Sequence, residues 1–99
     1  MQNLTGKQRK YLRSLAHSYK PHVIVGRNLL NDGTLHSIDL TLTANELVKV
    51  KFPSKDEMNS LKDKIVSELQ CHIAGDIGKT LIIYRPNQEI EKNRIIIPE

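Results

Sequence analysis

The chain has 99 residues, which is enough for one domain with a modest aliphatic core but not for two. It has one cysteine, no apolar run of roughly 18 residues and a start without the apolar segment of a signal peptide, so we expect a cytoplasmic protein rather than a disulfide scaffold, a membrane protein or a secreted one. The formal charge is +4, but residues 1–31 carry six Lys and Arg and no acid, whereas residues 32–99 carry nine Lys and Arg against eleven Asp and Glu.

The first predicted element is an amphipathic helix that begins at a capping box formed by Thr5 and Gln8. Apolar residues recur at helical spacing on one side, and basic residues collect on the other: Tyr11, Leu12, Leu15, Ala16 and Tyr19 against Arg9, Lys10 and Arg13. We expect Pro21 to end this helix, because its ring blocks continuation. The basic side is either a solvated helix face or a site for polyanions, of which phosphate backbones are the commonest in a cytoplasm.

A short β-rich run at residues 22–25 follows and is halted by Gly26-Arg27-Asn28. Two interpretations of this tripeptide stay open. It either forms a tight turn needed only for folding, or it lets backbone amides and the next helix N-terminus approach a phosphate.

Residues 31–44 are ambiguous from their local pattern. Asn31 and Asp32 are good helix caps and are followed by apolar residues at helical spacing. Residues 38–43, however, alternate like a Thr-rich strand. The local pattern alone slightly favours the strand.

The second half of the chain predicts a strand, a helix and a hairpin. The strand alternates apolar and basic residues, and the helix begins at a second capping box, Ser54 with Glu57. The elements are a strand at 46–52, a helix to about 70, and strands at 72–74 and 80–84 joined by the turn 75–78. The tail is polar from about residue 87 until Ile95-Ile96-Ile97, which either adds an edge strand or packs on the body.

Catalytic and metal-binding signals are weak. His17, His22, His36 and His72 are scattered, and none lies at helical spacing from another histidine or from Cys71. Cys71 is adjacent to His72, so the two side chains diverge on a helix or a strand, and a packed thiol is the favoured interpretation. We therefore expect no enzyme, no metal and no cofactor; a small hydrolase that uses His17 or His72 is the weakest alternative.

Several residues resemble a known family, and five ordered blocks carry the resemblance. They are Leu4-Thr5-Gly6-Lys7-Gln8-Arg9, Leu12-Arg13-Ser14-Leu15-Ala16-His17, Pro21 with Val25-Gly26-Arg27-Asn28, Glu46-Leu47-Val48-Lys49-Val50-Lys51 and Ile77-Gly78-Lys79-Thr80-Leu81-Ile82-Ile83-Tyr84-Arg85-Pro86. Together they resemble the CRM domain, and more closely the stand-alone bacterial YhbY-like RNA-binding proteins. The match runs from about Leu4 to Arg85.

The resemblance implies a fold and a single domain over residues 1–99. The fold is α/β of the two-layer α+β type, α-β-α-β-α-β-β with a four-stranded mixed sheet, similar to the C-terminal domain of bacterial translation initiation factor three. Residues 33–44 would then form the second helix. The family's loop after the first strand reads Gly-x-x-Gly, but here it is Gly26-Arg27-Asn28-Leu29, so leucine replaces the second glycine.

The resemblance also implies binding to RNA, with association to precursors of the large ribosomal subunit and a role in ribosome assembly. We expect a monomer without membrane or small-molecule partners. The predicted RNA-binding residues are Lys7, Arg9, Lys10, Arg13, Lys20, Gly26, Arg27, Asn28, Lys49, Lys51, Lys79 and Arg85. The alternative is a protein-interaction module that docks an acidic ribosomal or translation protein through the basic N-terminal helix.

Overall fold

The computed structural model describes residues 4–27, 30–87, 95 and 97. Its elements in chain order are α1 (Gly6–Ala16), β1 (Val23–Ile24), α2 (Asp32–Asn45), β2 (Leu47–Lys51), α3 (Lys55–Leu69), β3 (His72–Ile77) and β4 (Thr80–Tyr84). The strands form one four-stranded sheet in the order β1-β2-β4-β3. Strands β1 and β2 are parallel and the other pairs antiparallel, which confirms the predicted element order and mixed sheet.

Helix α2 occupies the segment in which the local pattern slightly favoured a strand, and that prediction is wrong. Asn31 caps the helix, and Ile38 and Leu42 are buried one turn apart. The hydroxyls of Thr41 and Thr43 donate to carbonyls one turn back at 2.8 and 3.0 Å, so the threonines are satisfied within a helix. Burial at helical spacing decides against the strand-like alternation, and the helix implied by the family resemblance is confirmed.

Helix α1 begins as predicted but ends early. The Thr5 hydroxyl accepts from the Gln8 amide at 3.1 Å, and the Gln8 side chain accepts from the Thr5 amide at 2.9 Å. The helix ends at Ala16, so Pro21 does not terminate it. Tyr19 lies beyond the helix, 37% exposed, and is not part of its apolar stripe.

Two apolar clusters lie on opposite faces of the sheet. One lies under α2 and α3 and includes Val48, Val50, Leu81 and Ile83. The other lies under α1 and includes Leu12, Ala16, Leu47, Ile82 and Tyr84. Strands β2 and β4 therefore bury residues on both faces, and the sheet lies between α1 on one side and α2 and α3 on the other.

The hairpin between β3 and β4 turns later than predicted. Strand β3 continues through Ile77, and the turn is made by Gly78 and Lys79. Gly78 has a φ of 60°, a left-handed conformation that glycine adopts without a steric penalty. The apolar tail packs on the body: Ile95 and Ile97 lie against the cluster under α1, whereas Ile96 is outside the described residues.

Glu46 holds the tail in place from the C-cap of α2. Its side chain is buried, and one carboxylate oxygen accepts from the Asn87 amide while the other accepts from the Ile95 amide, both at 2.8 Å. Glu46 also has a φ of 62°, which is unusual for a residue with a side chain. A buried carboxylate at a strained position therefore ties β4 and the tail to the end of α2.

Candidate nucleic-acid interface

The two faces of the sheet carry opposite charge. Helix α1 contains four Lys and Arg and no Asp or Glu. On the other face, α2 contains two Asp and no Lys or Arg, and α3 contains three Lys against four acids. Lys49 and Lys51 of β2 add to the α1 side, because Val48 and Val50 between them are buried under α2 and α3. A polyanion is therefore attracted to the α1 side.

One end of the α1 side gathers basic residues from separate segments. Lys51 ends β2 and pairs in register with Thr80, the residue after Lys79. The Phe52 amide donates to the Lys79 carbonyl at 2.9 Å, and the Val25 amide donates to the Lys51 carbonyl at 2.8 Å. Lys51, Lys79 and the exposed Arg27, two residues after Val25, therefore share what we name the basic sheet end.

The loop after β1 is open at its glycine. Gly26 and Arg27 are exposed. Asn28 and Leu29, the residue that stands in place of the family's second glycine, lie outside the described residues. The φ of Gly26 is not positive, and a Cβ at Gly26 would have no atom of the described residues within 4 Å. Neither backbone conformation nor packing requires glycine here. Among the described residues the position beside Gly26 is open, and phosphate access at this loop stays a prediction.

Replacing Gly26 with Ala separates these two roles. Because the site is open and its φ is not positive, we expect the free energy of unfolding to stay within about 0.5 kcal/mol of wild type. We expect the affinity for RNA to fall several-fold, because the methyl group keeps phosphate from the backbone. Urea unfolding and fluorescence anisotropy with labelled RNA measure the two quantities. A destabilised variant with unchanged affinity would contradict this role.

Two predicted RNA-binding arginines are engaged within the fold. Arg13 Nη1 donates to the Ala74 carbonyl at 3.0 Å, and its stem crosses Gly75, where a Cβ would come within 2.5 Å of Arg13 Cδ. Arg85 pairs with Asp39 at 2.7 Å and makes three further hydrogen bonds to oxygens of α2 and α3. Through these contacts both guanidinium groups hold helices and strands together. We therefore do not expect Arg13 and Arg85 to contact RNA.

Five other predicted cations stay on the α1 side or beside it. Arg9 donates to a backbone carbonyl before α1 at 2.6 Å, and Lys49 donates to one after α1 at 2.7 Å. Lys7, Lys10 and Lys20 are exposed. These side chains surround α1 without being buried by it, so they can reach a ligand lying across this face.

An aromatic pair beside Lys49 was missed by the sequence analysis. The rings of Tyr19 and His22 meet edge to face with their centroids 5.8 Å apart. His22 Nδ1 accepts from the Lys49 amide at 3.1 Å, so the ring is held beside β2. Nothing in the sequence indicated this contact, since the two residues only flank Lys20 and Pro21 without a periodic pattern.

The His22 contact predicts a pH dependence of stability. Burial, followed by the charge of Lys49, lowers the pKa of His22 below 6.5, and Nδ1 can accept the Lys49 amide only when it carries no proton. The unfolded chain then binds a proton more readily than the folded one. The stability that neutral His22 contributes is fully present above the pKa of His22 in the unfolded chain. It is lost as the pH falls through the lower pKa of His22 in the folded chain.

We expect His22→Asn, whose Oδ1 can accept the same amide, to remove part of the loss in melting temperature between about pH 7.5 and pH 5. The remaining loss in melting temperature includes the contribution of His72, because burial lowers the pKa of His72 as well. Thermal unfolding followed by circular dichroism measures this; equal losses in wild type and variant would contradict it.

The Cys71 and His72 pair does not form a nucleophilic site. Cys71 is 2% exposed and lies in the cluster under α2 and α3, which confirms the packed thiol. Burial raises the pKa of the thiol to about 11, so it is protonated at neutral pH. His72 pairs in register with Tyr84, which lies in the cluster under α1, so the His72 side chain lies on the α1 side of the sheet, whereas that of Cys71, the residue before β3, lies on the other side.

Within the described part of the chain, no helix is long and apolar enough to cross a bilayer.

Comparisons with known proteins agree with this architecture. The family model of the CRS1 / YhbY (CRM) domain matches residues 4–85. A Pseudomonas aeruginosa protein, named a probable RNA-binding protein, is 34% identical over 92 residues, which cover 91% of this chain and 88% of the relative. An RNA-binding protein of Haemophilus influenzae is 36% identical over 91 residues, which cover 90% of this chain and 92% of the relative.

A solved structure shows the same fold. The solution structure of a hypothetical protein of Staphylococcus aureus, a candidate RNA-binding protein, aligns with a TM-score of 0.80 at 34% identity. The alignment covers 96% of this chain and 99% of that one. The family match, these relatives and the shared fold lead to one conclusion: the chain belongs to the CRS1/YhbY (CRM) domain family.

Proposed function

We propose that the protein binds RNA through its α1 side and that, in the cytoplasm, it associates with precursors of the large ribosomal subunit and assists their assembly without catalysing a reaction. The observation that carries this proposal is the opposite charge of the two sheet faces, with four cations and no acid on α1. Relatives named as RNA-binding proteins in Pseudomonas aeruginosa and Haemophilus influenzae support RNA as the partner.

Binding is mainly electrostatic in this proposal. The cations of α1 other than Arg13, those of β2 and those of the basic sheet end replace counterions on the phosphate backbone, which favours association without reading base sequence. The open loop at Gly26 lets the backbone come close to one phosphate. The N-terminus of α2 contributes less, because the Asn31 side chain already caps it and Asp32 places a negative charge there.

A sucrose gradient of cell lysate tests the ribosomal part of the proposal. We expect the tagged protein to migrate with immature large subunits at low salt and to leave them after ribonuclease treatment or at high salt. Association that survives ribonuclease would favour docking on an acidic protein through α1. Sedimentation at the top of the gradient under every condition would contradict the ribosomal role.

A further inference from the structure

A row of four side chains crosses the sheet at one level on its α1 side. Lys51 pairs in register with Ile24 of β1 and with Thr80 of β4, and Thr80 pairs with Ile77 of β3. Lys51 lies on the α1 side, and paired residues in adjacent strands project to the same face. The row Ile24, Lys51, Thr80, Ile77 is therefore continuous over a span of about 14 Å.

Helix α1 covers the sheet beside this row but leaves both ends of the row exposed. The strand residues under α1 are Leu47, Ala74, Ile82 and Tyr84, and all four are buried. In the row, Ile24 is 71% exposed and Ile77 is 55% exposed. The row thus carries an exposed isoleucine at each end, with the half-buried Lys51 and Thr80 between them.

Cations lie within this row and beside it. Lys51 lies between the two isoleucines, Lys79 lies in the turn next to Thr80, and Arg27 follows β1. Asp76 precedes Ile77 in the sequence, but it pairs with Leu81, which is buried under α2 and α3, so its side chain leaves from the opposite face. Two exposed isoleucines with positive charge between and beside them complement a ligand that combines apolar surfaces with phosphates.

We propose that the row formed by Ile24, Lys51, Thr80 and Ile77 binds unpaired nucleotides of RNA. This rests on the proposed function and assigns the row a role distinct from duplex or backbone binding. Bases or sugars lie against the two isoleucines, Lys51 and Lys79 neutralise the adjoining phosphates, and the Thr80 hydroxyl is available to a 2′-hydroxyl. Only unpaired bases can turn an apolar face to the protein, whereas a duplex keeps its bases stacked inside.

The test compares two labelled RNAs of equal length, one single-stranded and one a fully paired hairpin. For the variant with both Ile24→Ala and Ile77→Ala, we expect about a tenfold weaker affinity for the single strand, because buried methyl and methylene groups are lost. Affinity for the hairpin should change less than about twofold. The dependence on salt should stay as in wild type, because no phosphate contact is removed.

Leu40→Ala is the matched control, since Leu40 is also 55% exposed but lies on α2, on the other side of the sheet. It should bind both RNAs as wild type does. Unchanged single-strand affinity in the isoleucine variant would overturn the inference, and so would an equal loss on both RNAs. If wild type binds neither RNA, the proposed function falls as well, which distinguishes that failure from a failure of the row alone.

Discussion

Changing Lys51 and Lys79 together to Glu is expected to weaken RNA binding about a hundredfold at moderate salt. Each substitution removes an attraction to phosphate and adds a repulsion, and about 3 kcal/mol for the pair of reversals corresponds to this factor. Lys79 is exposed in the β3–β4 turn, and Lys51 is half-buried at the end of β2 without a side-chain hydrogen bond or ion pair among the described residues. The melting temperature should therefore stay within a few degrees of wild type.

The matched control reverses Lys55 and Lys64, two exposed lysines of α3 on the other side of the sheet. This variant has the same net charge as the Lys51 and Lys79 variant. Fluorescence anisotropy should show less than about a threefold loss in affinity, because long-range charge alone is screened over about 10 Å at moderate salt. Equal losses in the two variants would show that RNA responds to net charge and not to the α1 side.

Glu46→Ala is expected to lower the free energy of unfolding by about 2 kcal/mol. The change leaves the amides of Asn87 and Ile95 without the carboxylate that accepts both of them at 2.8 Å. For a domain of this size, the loss corresponds to a fall in melting temperature of roughly 8–16 °C. Because Ile95 and Ile97 pack on the cluster under α1, the tail should also become more accessible to protease.

Two further variants separate the carboxylate from the backbone strain at Glu46. Glu46→Gly also loses the carboxylate, but glycine tolerates the φ of 62°, so it should be about 1 kcal/mol more stable than Glu46→Ala. Glu46→Gln retains one acceptor oxygen and should lie between Ala and wild type. Urea unfolding measures all three, and a Glu46→Ala variant as stable as wild type would show that the carboxylate does not hold the tail.

Local sequence signals predicted most of the elements but not α2. Capping boxes and simple alternation identified α1, β2, α3 and β4, because these signals arise from neighbouring residues. Helix α2 has a Thr-rich pattern that also suits a strand, and only burial of Ile38 and Leu42 against the sheet decides between them. The family resemblance resolved the ambiguity because it carries the order of all the elements.

The candidate site was predictable in its charge and less so in its contacts. The run of cations without an acid in the first third of the chain placed the basic side on α1. The positions of Arg13 and Arg85 did not reveal their partners, because Ala74 and Asp39 are distant in sequence. The exposure of Ile24 and Ile77 also depends on strand register, which the sequence does not specify.

The salt dependence of RNA binding tests the electrostatic account most directly. If the α1 side neutralises about five phosphates, a plot of log K against log salt concentration for wild type and a paired RNA should have a slope near −4. The Lys51 and Lys79 variant should give a shallower slope, since two phosphate contacts are lost, and the Lys55 and Lys64 control should keep the slope of wild type. A wild-type slope near zero would contradict binding through the phosphate backbone.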